Sequence, residues 1–146
     1  MSERSALPQL ANFPVLTTEK TRFGDTDSFG HINNAVISTF LESGRGELLH
    51  SGGGLAEIEG CNFVLAGIEI EFRGELNWPG EVIIGSRVAK IGRSSIGFDQ
   101  AVFQQGTCRV VSRSTCVQVN TKLKSAAELS PAAKTHFATL TSITDP

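Results

Sequence analysis

The stretch FGDTDSFGHINN, residues 23–34, holds two aspartates, a histidine and two asparagines. Asp25 and Asp27 are separated by one residue, so in an extended chain their carboxylates lie on one side, about 6–7 Å apart. Each negative charge then disfavours the other, which separates the pKa values of the two acids.

Gly30 and the segment that follows it favour a particular chemistry. Gly30 lets the backbone turn tightly or approach a ligand, and a helix starting near Asn34 offers unpaired N–H groups at the positive end of its dipole. A carboxylate beside such a helix start suits carbonyl chemistry, because the N–H groups hold an oxyanion while the acid attacks or activates water. Aspartate and asparagine also cap helices, so a capped turn without catalysis is the alternative.

The segment 34–50 is the element that must position these groups. Asn33 or Asn34 can cap its start, and three glycines at 52–54 signal its end. Its apolar residues recur at spacings of three and four over about four turns, which predicts an amphipathic helix. They are Val36, Ile37, Phe40, Leu41, Leu48 and Leu49.

The pattern changes to a period of two after this helix, which predicts strands. In FVLAGIEIEFRG, Ile68, Ile70 and Phe72 alternate with charged residues, as in a half-buried strand. Three more strands follow in EVIIGSRVAKI, SSIGFDQAVFQ and TCRVVSRSTCVQV, with connections at 92–94 and 105–106 short enough for hairpins. We therefore expect an antiparallel meander, preceded by one short strand near 18–23.

A helix with one apolar stripe must bury it, and the antiparallel sheet is the available partner. The prediction is a single α+β domain over residues 1–146, with an antiparallel sheet wrapped around a central long helix. An N-terminal arm occupies 1–16. Ser130 and Pro131 begin a short C-terminal helix at 130–141.

The composition excludes several classes of protein. A net charge near −2 gives no general attraction to nucleic acid or acidic membranes. No run of eighteen apolar residues and no signal-peptide pattern is present, so we expect a cytoplasmic protein without a membrane partner. Three cysteines without C-x-x-C spacing and three scattered histidines predict reduced thiols and no metal site.

Residues 22–49, RFGDTDSFGHINNAVISTFLESGRGELL, resemble the first strand and central helix of the hotdog-fold acyl-CoA thioesterases of the 4-hydroxybenzoyl-CoA thioesterase-like group. The family pattern is Asp-x-Asp-x-x-Gly-His-x-Asn-Asn, followed by a helix bearing Glu-x-x-Arg, and every polar member is present. The resemblance implies the hotdog fold and hydrolysis of an acyl-CoA thioester. It also implies no metal or redox cofactor, since coenzyme A enters as part of the substrate.

The resemblance assigns the catalytic positions. Asp27 matches the acid that serves as nucleophile or general base towards the thioester, and Asn34 stands where a backbone N–H binds the carbonyl oxygen. Glu42 matches an acidic helix position whose role varies among members. Its alternative is a surface ion pair with Arg45, three residues on. Asp25 is interpreted as a supporting or capping residue.

The remaining family positions concern binding. Gly30 allows close approach of the substrate, while His31 and Asn33 shape the pocket or bond the loop; a purely structural role for His31 is the alternative. In the family, coenzyme A lies across a subunit interface with its phosphates near the strand hairpins. Arg93, with Ser94 and Ser95 in the turn IGRSSIG, is the candidate for these phosphates. Arg73 and Arg87 are the next candidates. The alternative is that the turn arginine is simply solvated and binds no phosphate.

Some features depart from the family pattern. Position 37, often aromatic in the family, is isoleucine. Gly44 and Gly46 weaken the helix by roughly 1 kcal/mol each relative to alanine, unless close packing uses their missing side chains.

Two other functions stay open at the level of the sequence. A hotdog hydratase or dehydratase would use His31 with an acid for proton transfer, and a non-catalytic module would bind acyl-CoA without turnover. An exposed sheet edge also predicts a homodimer or homotetramer, because edge pairing covers the unpaired strand.

Overall fold

A computed structural model describes residues 6–51 and 58–141 of the chain. The strands are β1 Val15–Lys20, β2 Cys61–Phe72, β3 Glu81–Ile91, β4 Ser95–Gln104, β5 Thr107–Asn120 and β6 Ser125–Ala126. The α-helices are α1 Asn34–His50 and α2 Pro131–Ala138, and short 3-10 turns span Leu10–Asn12 and Phe23–Asp25. The predicted glycine stop at 52–54 lies outside the described residues.

The strands form one antiparallel sheet in the order β1-β3-β4-β5-β2, with β6 paired to the end of β5. The predicted meander is confirmed for β3, β4 and β5. β2 does not adjoin β3, however, because the segment 73–80 crosses the end of the sheet between them. Arg73 N and Gly74 N donate to Arg109 O, and Asn77 is paired with Gln104 before β3 begins. The crossing places β2 at the edge opposite β1.

α1 lies on one face of the sheet and packs against β1, β3 and β4. Its predicted bounds are confirmed, and its apolar stripe is buried at Ile37, Phe40, Leu41, Leu48 and Leu49. The predicted α+β fold, an antiparallel sheet around a long helix, is therefore confirmed. We call the side of the sheet that holds α1 the helix face.

The N-terminal arm covers part of the opposite side, which we call the arm face. Phe13 is buried there against Phe103 and Ala101. Gly85 of β3 makes the room, since a Cβ at that position would lie 2.5 Å from the Phe13 ring. The arm thus closes a second, smaller apolar cluster.

The first and last elements differ from their predicted bounds. The first strand occupies 15–20 rather than 18–23, because the Asp25 carboxylate accepts the Arg22 N–H and draws residues 23–25 into a 3-10 turn. The C-terminal helix starts as predicted, with Ser130 Oγ accepting from Ala133 N at 3.0 Å, but ends at Ala138. Within the described ranges, no helix is long and apolar enough to cross a membrane.

β2 departs from the predicted half-buried strand. Ile68 and Phe72 face the same side as α1, through their register with Ser114 and Val110, yet their side chains are 37% and 47% exposed. α1 packs on the other half of the sheet, so this apolar edge is left uncovered in the single chain.

Candidate functional site

The loop 27–31 is organised by Asp27. Its backbone N–H donates to His31 O at 2.8 Å, and its Oδ1 accepts from Phe29 N at 2.8 Å and His31 N at 3.2 Å. Gly30 takes φ +85°, a conformation that suits glycine, and donates to Asp27 O at 3.2 Å. Some of the polar groups in this stretch therefore serve to cap a turn, as in the alternative interpretation.

The second carboxylate oxygen of Asp27 is not used by the turn. Among the residues that the structure describes, Oδ2 receives no hydrogen bond, and the side chain is half-buried. One oxygen therefore fixes the loop while the other is available to a ligand.

The start of α1 also leaves one group available. Asn33 is the cap: its Oδ1 accepts from Ala35 N at 2.9 Å, and its carbonyl accepts from Val36 N and Ile37 N. In the described part of the chain, the Asn34 N–H has no acceptor. It is the free donor of the first turn, at the positive end of the helix dipole.

These two groups lie at the same end of the molecule. Asn33 N donates to Asp25 O at 2.8 Å, so the chain folds back on itself before the helix begins. Asp27 faces His31 across this hairpin, and three residues, about 10 Å of extended chain, lead from His31 to Asn34. The structure thus brings the predicted acid and the predicted oxyanion donor to the start of one helix.

Asp25 has a different role. Its side chain is 2% exposed, with Oδ1 2.8 Å from Arg22 Nη2 and Oδ2 accepting from Arg22 N at 2.9 Å. The hydrogen bond from the Arg22 guanidinium holds the pKa of Asp25 below its usual range. Asp25 is therefore an ionised capping residue, as predicted.

The lowered pKa of Asp25 predicts how stability depends on pH. Its stabilising contribution is present above the unfolded-state pKa, about 3.9, and is lost as pH falls through the lower folded-state value. We expect the difference in urea midpoint between the wild type and Asp25→Asn to be largest near neutral pH and to shrink below about pH 4. Glu81→Gln, which alters an exposed carboxylate, is the control. Parallel curves for the wild type and Asp25→Asn down to pH 2 would contradict the assignment.

His31 is bound to the segment 73–80. Its Nδ1 lies 3.2 Å from Asn77 Oδ1, and its Nε2 lies 3.3 Å from Glu75 Oε2. His31 therefore connects the loop 27–31 to the segment 73–80, and both of its ring nitrogens are engaged. Glu75 and Asn77 were missed from the sequence, since they lie outside the motif on the crossing segment.

Glu42 is exposed on α1. The alternative of a surface ion pair with Arg45 is wrong, because Arg45 turns towards the sheet, is 6% exposed and donates from Nη1 to Gln100 Oε1 at 3.3 Å. Within residues 6–51 and 58–141, no contact of Glu42 assigns it a role.

The hairpin at 93–95 lies far from Asp27 in a single chain. The eleven residues of β3 separate it from the segment 73–80, a distance of about 33 Å. The Arg93 side chain is 84% exposed, with Nε 3.7 Å from Glu128, and Ser94 O accepts from Gln118 N. One protomer therefore does not bring Arg93, Ser94 and Ser95 to the Asp27 loop.

Arg73 and Arg87 line a groove of about 510 Å³ on the arm face. Both are paired with acids, Arg73 with Glu71 at 3.1 Å and Arg87 with Asp99 at 3.4 Å. This groove is on the opposite side of the sheet from α1.

The cysteines offer no activated thiol. Cys61, Cys108 and Cys116 are buried and free, as predicted, and burial raises the pKa of Cys108 and of Cys116. Across residues 6–51 and 58–141, no group of three His, Cys, Asp or Glu side chains could hold a metal ion.

Comparison with known proteins supports one family. The model of the thioesterase-like superfamily matches residues 21–137. Among solved structures, a thioesterase from Thermus thermophilus complexed with coenzyme A and Zn is 28% identical, with a TM-score of 0.78 over 88% of this chain and 95% of that one. A search of curated proteins found no significant match.

More distant structures share the fold. The PA5185 protein from Pseudomonas aeruginosa strain PAO1 is 22% identical, with a TM-score of 0.83 over 94% of this chain and 99% of that one. The DHNA-CoA thioesterase from Staphylococcus aureus is 17% identical, with a TM-score of 0.77 over 86% of this chain and 89% of that one. The chain thus belongs to the thioesterase-like superfamily and is a thioester hydrolase of the hotdog fold.

Proposed function

We propose that the protein hydrolyses an acyl-CoA thioester to the free acid and coenzyme A at the start of α1. The observation that carries the proposal is the pairing of an unused carboxylate oxygen, Asp27 Oδ2, with an unused backbone donor, the Asn34 N–H, at one helix end. Coenzyme A bound to the similar Thermus thermophilus thioesterase supports this class of substrate.

In this mechanism the thioester carbonyl oxygen accepts a hydrogen bond from the Asn34 N–H. Negative charge grows on that oxygen as the carbonyl carbon is attacked, so the helix dipole stabilises the transition state more than the ground state. The C–S bond then breaks, and coenzyme A leaves as its thiolate.

Asp27 can drive the attack in either of two ways. As a nucleophile, Oδ2 bonds to the carbonyl carbon, and water hydrolyses the resulting anhydride to restore the carboxylate. As a general base, Oδ2 takes a proton from the water that attacks the carbonyl carbon. The geometry of the single chain is compatible with both.

The family assignment favours hydrolysis over the hydratase alternative. The structure does contain the His–acid pair that a hydratase would use, since His31 Nε2 lies 3.3 Å from Glu75 Oε2, and a thiol-release assay separates the two reactions. The family assignment likewise favours turnover over a module that only binds acyl-CoA.

A thiol-release assay over aliphatic, aromatic, saturated and α,β-unsaturated acyl-CoAs tests the proposal. We expect release of free coenzyme A from saturated substrates and a ranking that identifies the preferred acyl group. Addition of water to the unsaturated substrates without release of thiol would contradict the proposal and favour the hydratase.

The uncovered β2 edge supports a homodimer as the acting form. Leu65, Ile68 and Phe72 are apolar side chains with exposed fractions of 46%, 37% and 47%. They lie along β2, which among the described residues is paired only with β5. Twofold pairing of two β2 edges would bury this strip. It would also bring the 93–95 hairpin of one protomer towards the Asp27 end of the other, because antiparallel pairing places opposite strand ends together.

The dimer predicts the effect of a charge in the strip. We expect Ile68→Lys to raise the dimer dissociation constant at least about a hundredfold, because the interface would bury an unpaired ammonium. Light scattering after size exclusion would show the wild type at twice its 15.6 kDa and the variant at the monomer mass. Leu16→Lys, at a 48% exposed leucine of β1 on the opposite edge of the sheet, should remain a dimer. A monomeric wild type, or a dimeric Ile68→Lys, would refute this interface.

A further inference from the structure

Three buried polar side chains, Arg45, Ser86 and Gln100, lie in the apolar core between α1 and the sheet, and we call them the polar seam. At its centre, Gln100 Nε2 donates to Leu41 O at 2.9 Å and to Ser86 Oγ at 3.0 Å, while Gln100 Oε1 accepts from Arg45 Nη1 at 3.3 Å. The amide of Gln100 is thus fully occupied. It fixes Arg45 against the helix face of the sheet.

Arg45 is a buried cation with neutral partners. Its side chain is 6% exposed, and its guanidinium donates to the Gln100 amide. Its positive charge also opposes, in part, the rise that burial causes in the pKa of the Cys116 thiol. Across the described ranges, no carboxylate approaches Arg45 within ion-pairing distance. A buried guanidinium without an anion is strongly disfavoured, which points to an anionic group that the single chain does not supply.

Two hydroxyls of β5 beside Arg45 are also unpaired. Ser112 and Ser114 are 7% and 3% exposed, and the Oγ of each has no hydrogen-bond partner. Ser112 lies opposite Gln100, and Ser114 lies between Ser112 and Cys116 on the helix face. Arg45 donates to Gln100, which is the cross-strand partner of Ser112, so its guanidinium lies near this part of β5. Arg45, Ser112 and Ser114 are therefore three neighbouring donors.

These donors lie between α1 and the edge strand β2. Ser114 is paired with Ile68 of the uncovered apolar strip, and Ser112 is paired with Ile70, which is half-buried against the core cluster that α1 fills. Arg45 follows Asn34 by eleven positions in α1, a rise of about 16 Å. An acyl group whose carbonyl is held at the start of α1 would run over apolar side chains and end near Arg45.

We propose that Arg45, Ser112 and Ser114 form a subsite for the far end of the acyl group, and that this end carries a carboxylate. The inference rests on the proposed acyl-CoA hydrolysis and names its substrate class, an acyl-CoA with an apolar chain and a terminal carboxylate. The guanidinium supplies the charge, and the two serine hydroxyls donate the additional hydrogen bonds.

The test compares acyl-CoAs of equal chain length that end in a carboxylate or in a methyl group. At the matching length, we expect the wild type to favour the carboxylate-ended substrate in kcat/KM at least about a hundredfold. Ser114→Ala and Ser112→Ala should each lower this ratio about tenfold, the scale of one hydrogen bond to a charged group. Arg45→Met, which replaces the cation by an apolar chain, should abolish the preference.

Two controls separate recognition from stability. Ser86→Ala removes a hydroxyl that already has a hydrogen-bond partner, since Ser86 Oγ accepts from Gln100 Nε2. The preference of this variant for the carboxylate-ended substrate should equal that of the wild type. The serine variants remove unpaired hydroxyls, so they should fold even if Arg45→Met does not. A merely structural role for the serines would change Tm without changing the ratio.

Binding of non-hydrolysable acyl-CoA thioethers, measured by calorimetry, keeps this inference separate from the proposed function. Preference for the carboxylate-ended thioether in the wild type, reduced about tenfold in Ser114→Ala, would support the subsite whether or not hydrolysis occurs. Equal binding of the two thioethers, or equal kcat/KM for the two substrates at every length, would overturn it. Absence of thiol release from all substrates would instead overturn the proposed function.

Discussion

Asp27→Asn is expected to lower kcat/KM for thiol release at least about a hundredfold without loss of the fold, the scale of losing a positioned acid–base group. The asparagine keeps an Oδ1 that accepts from Phe29 N and His31 N, so the loop 27–31 survives. It replaces the unused Oδ2 by an amide, which neither attacks a thioester nor takes a proton from water. Steady-state kinetics and Tm of the same preparation measure the two effects separately.

Asp27→Ala is the matched comparison, because it removes both oxygens. We expect the same loss of activity and, in addition, a Tm lower by about 2–4 °C, since a lost cap costs about 1 kcal/mol. Near-normal thiol release by Asp27→Asn would show that Asp27 is not the acid of the reaction. Equal Tm values for the two variants would show that Oδ1 does not stabilise the loop.

Gly44→Ala is expected to lower the free energy of unfolding by about 1–3 kcal/mol, the usual effect of overpacking a core. A Cβ at Gly44 would lie 2.7 Å from Ile84 Cγ2, 2.8 Å from Ser86 Oγ and 2.9 Å from Gln100 Nε2. Gln100 cannot yield easily, because that nitrogen donates to both Leu41 O and Ser86 Oγ. Urea unfolding at neutral pH measures the change.

Gly46→Ala is the control two residues further along the same helix. A Cβ there meets no atom within 4 Å, so the better helix propensity of alanine should raise the free energy of unfolding by up to about 1 kcal/mol. Opposite signs for the two variants are therefore expected. Stabilisation by Gly44→Ala would contradict the close packing of α1 on β3 and β4.

Local patterns in the sequence determined the elements that depend on near neighbours. The bounds of α1 follow from its apolar spacing and from the cap at Asn33, whose capping bonds reach only two to four residues ahead. The short connections at 92–94 and 105–106 likewise forced β3, β4 and β5 into adjacent antiparallel strands. For the same reason the turn at Asp27 and the glycine at Gly30 were recognised in advance.

The tertiary structure decided what depends on distant pairing. The position of β2 beyond β5 follows from the crossing of 73–80, and the same crossing brings Glu75 and Asn77 to His31, more than forty residues earlier. Helical spacing could place Arg45 near Glu42, but only the contact with Gln100 of β4 shows that it is buried. Such contacts join segments far apart in the chain, so no local period or propensity encodes them. The candidate acid Asp27 and the helix start beside it could thus be read from one stretch of sequence. The surroundings proposed for the acyl group arise only when the strands are assembled.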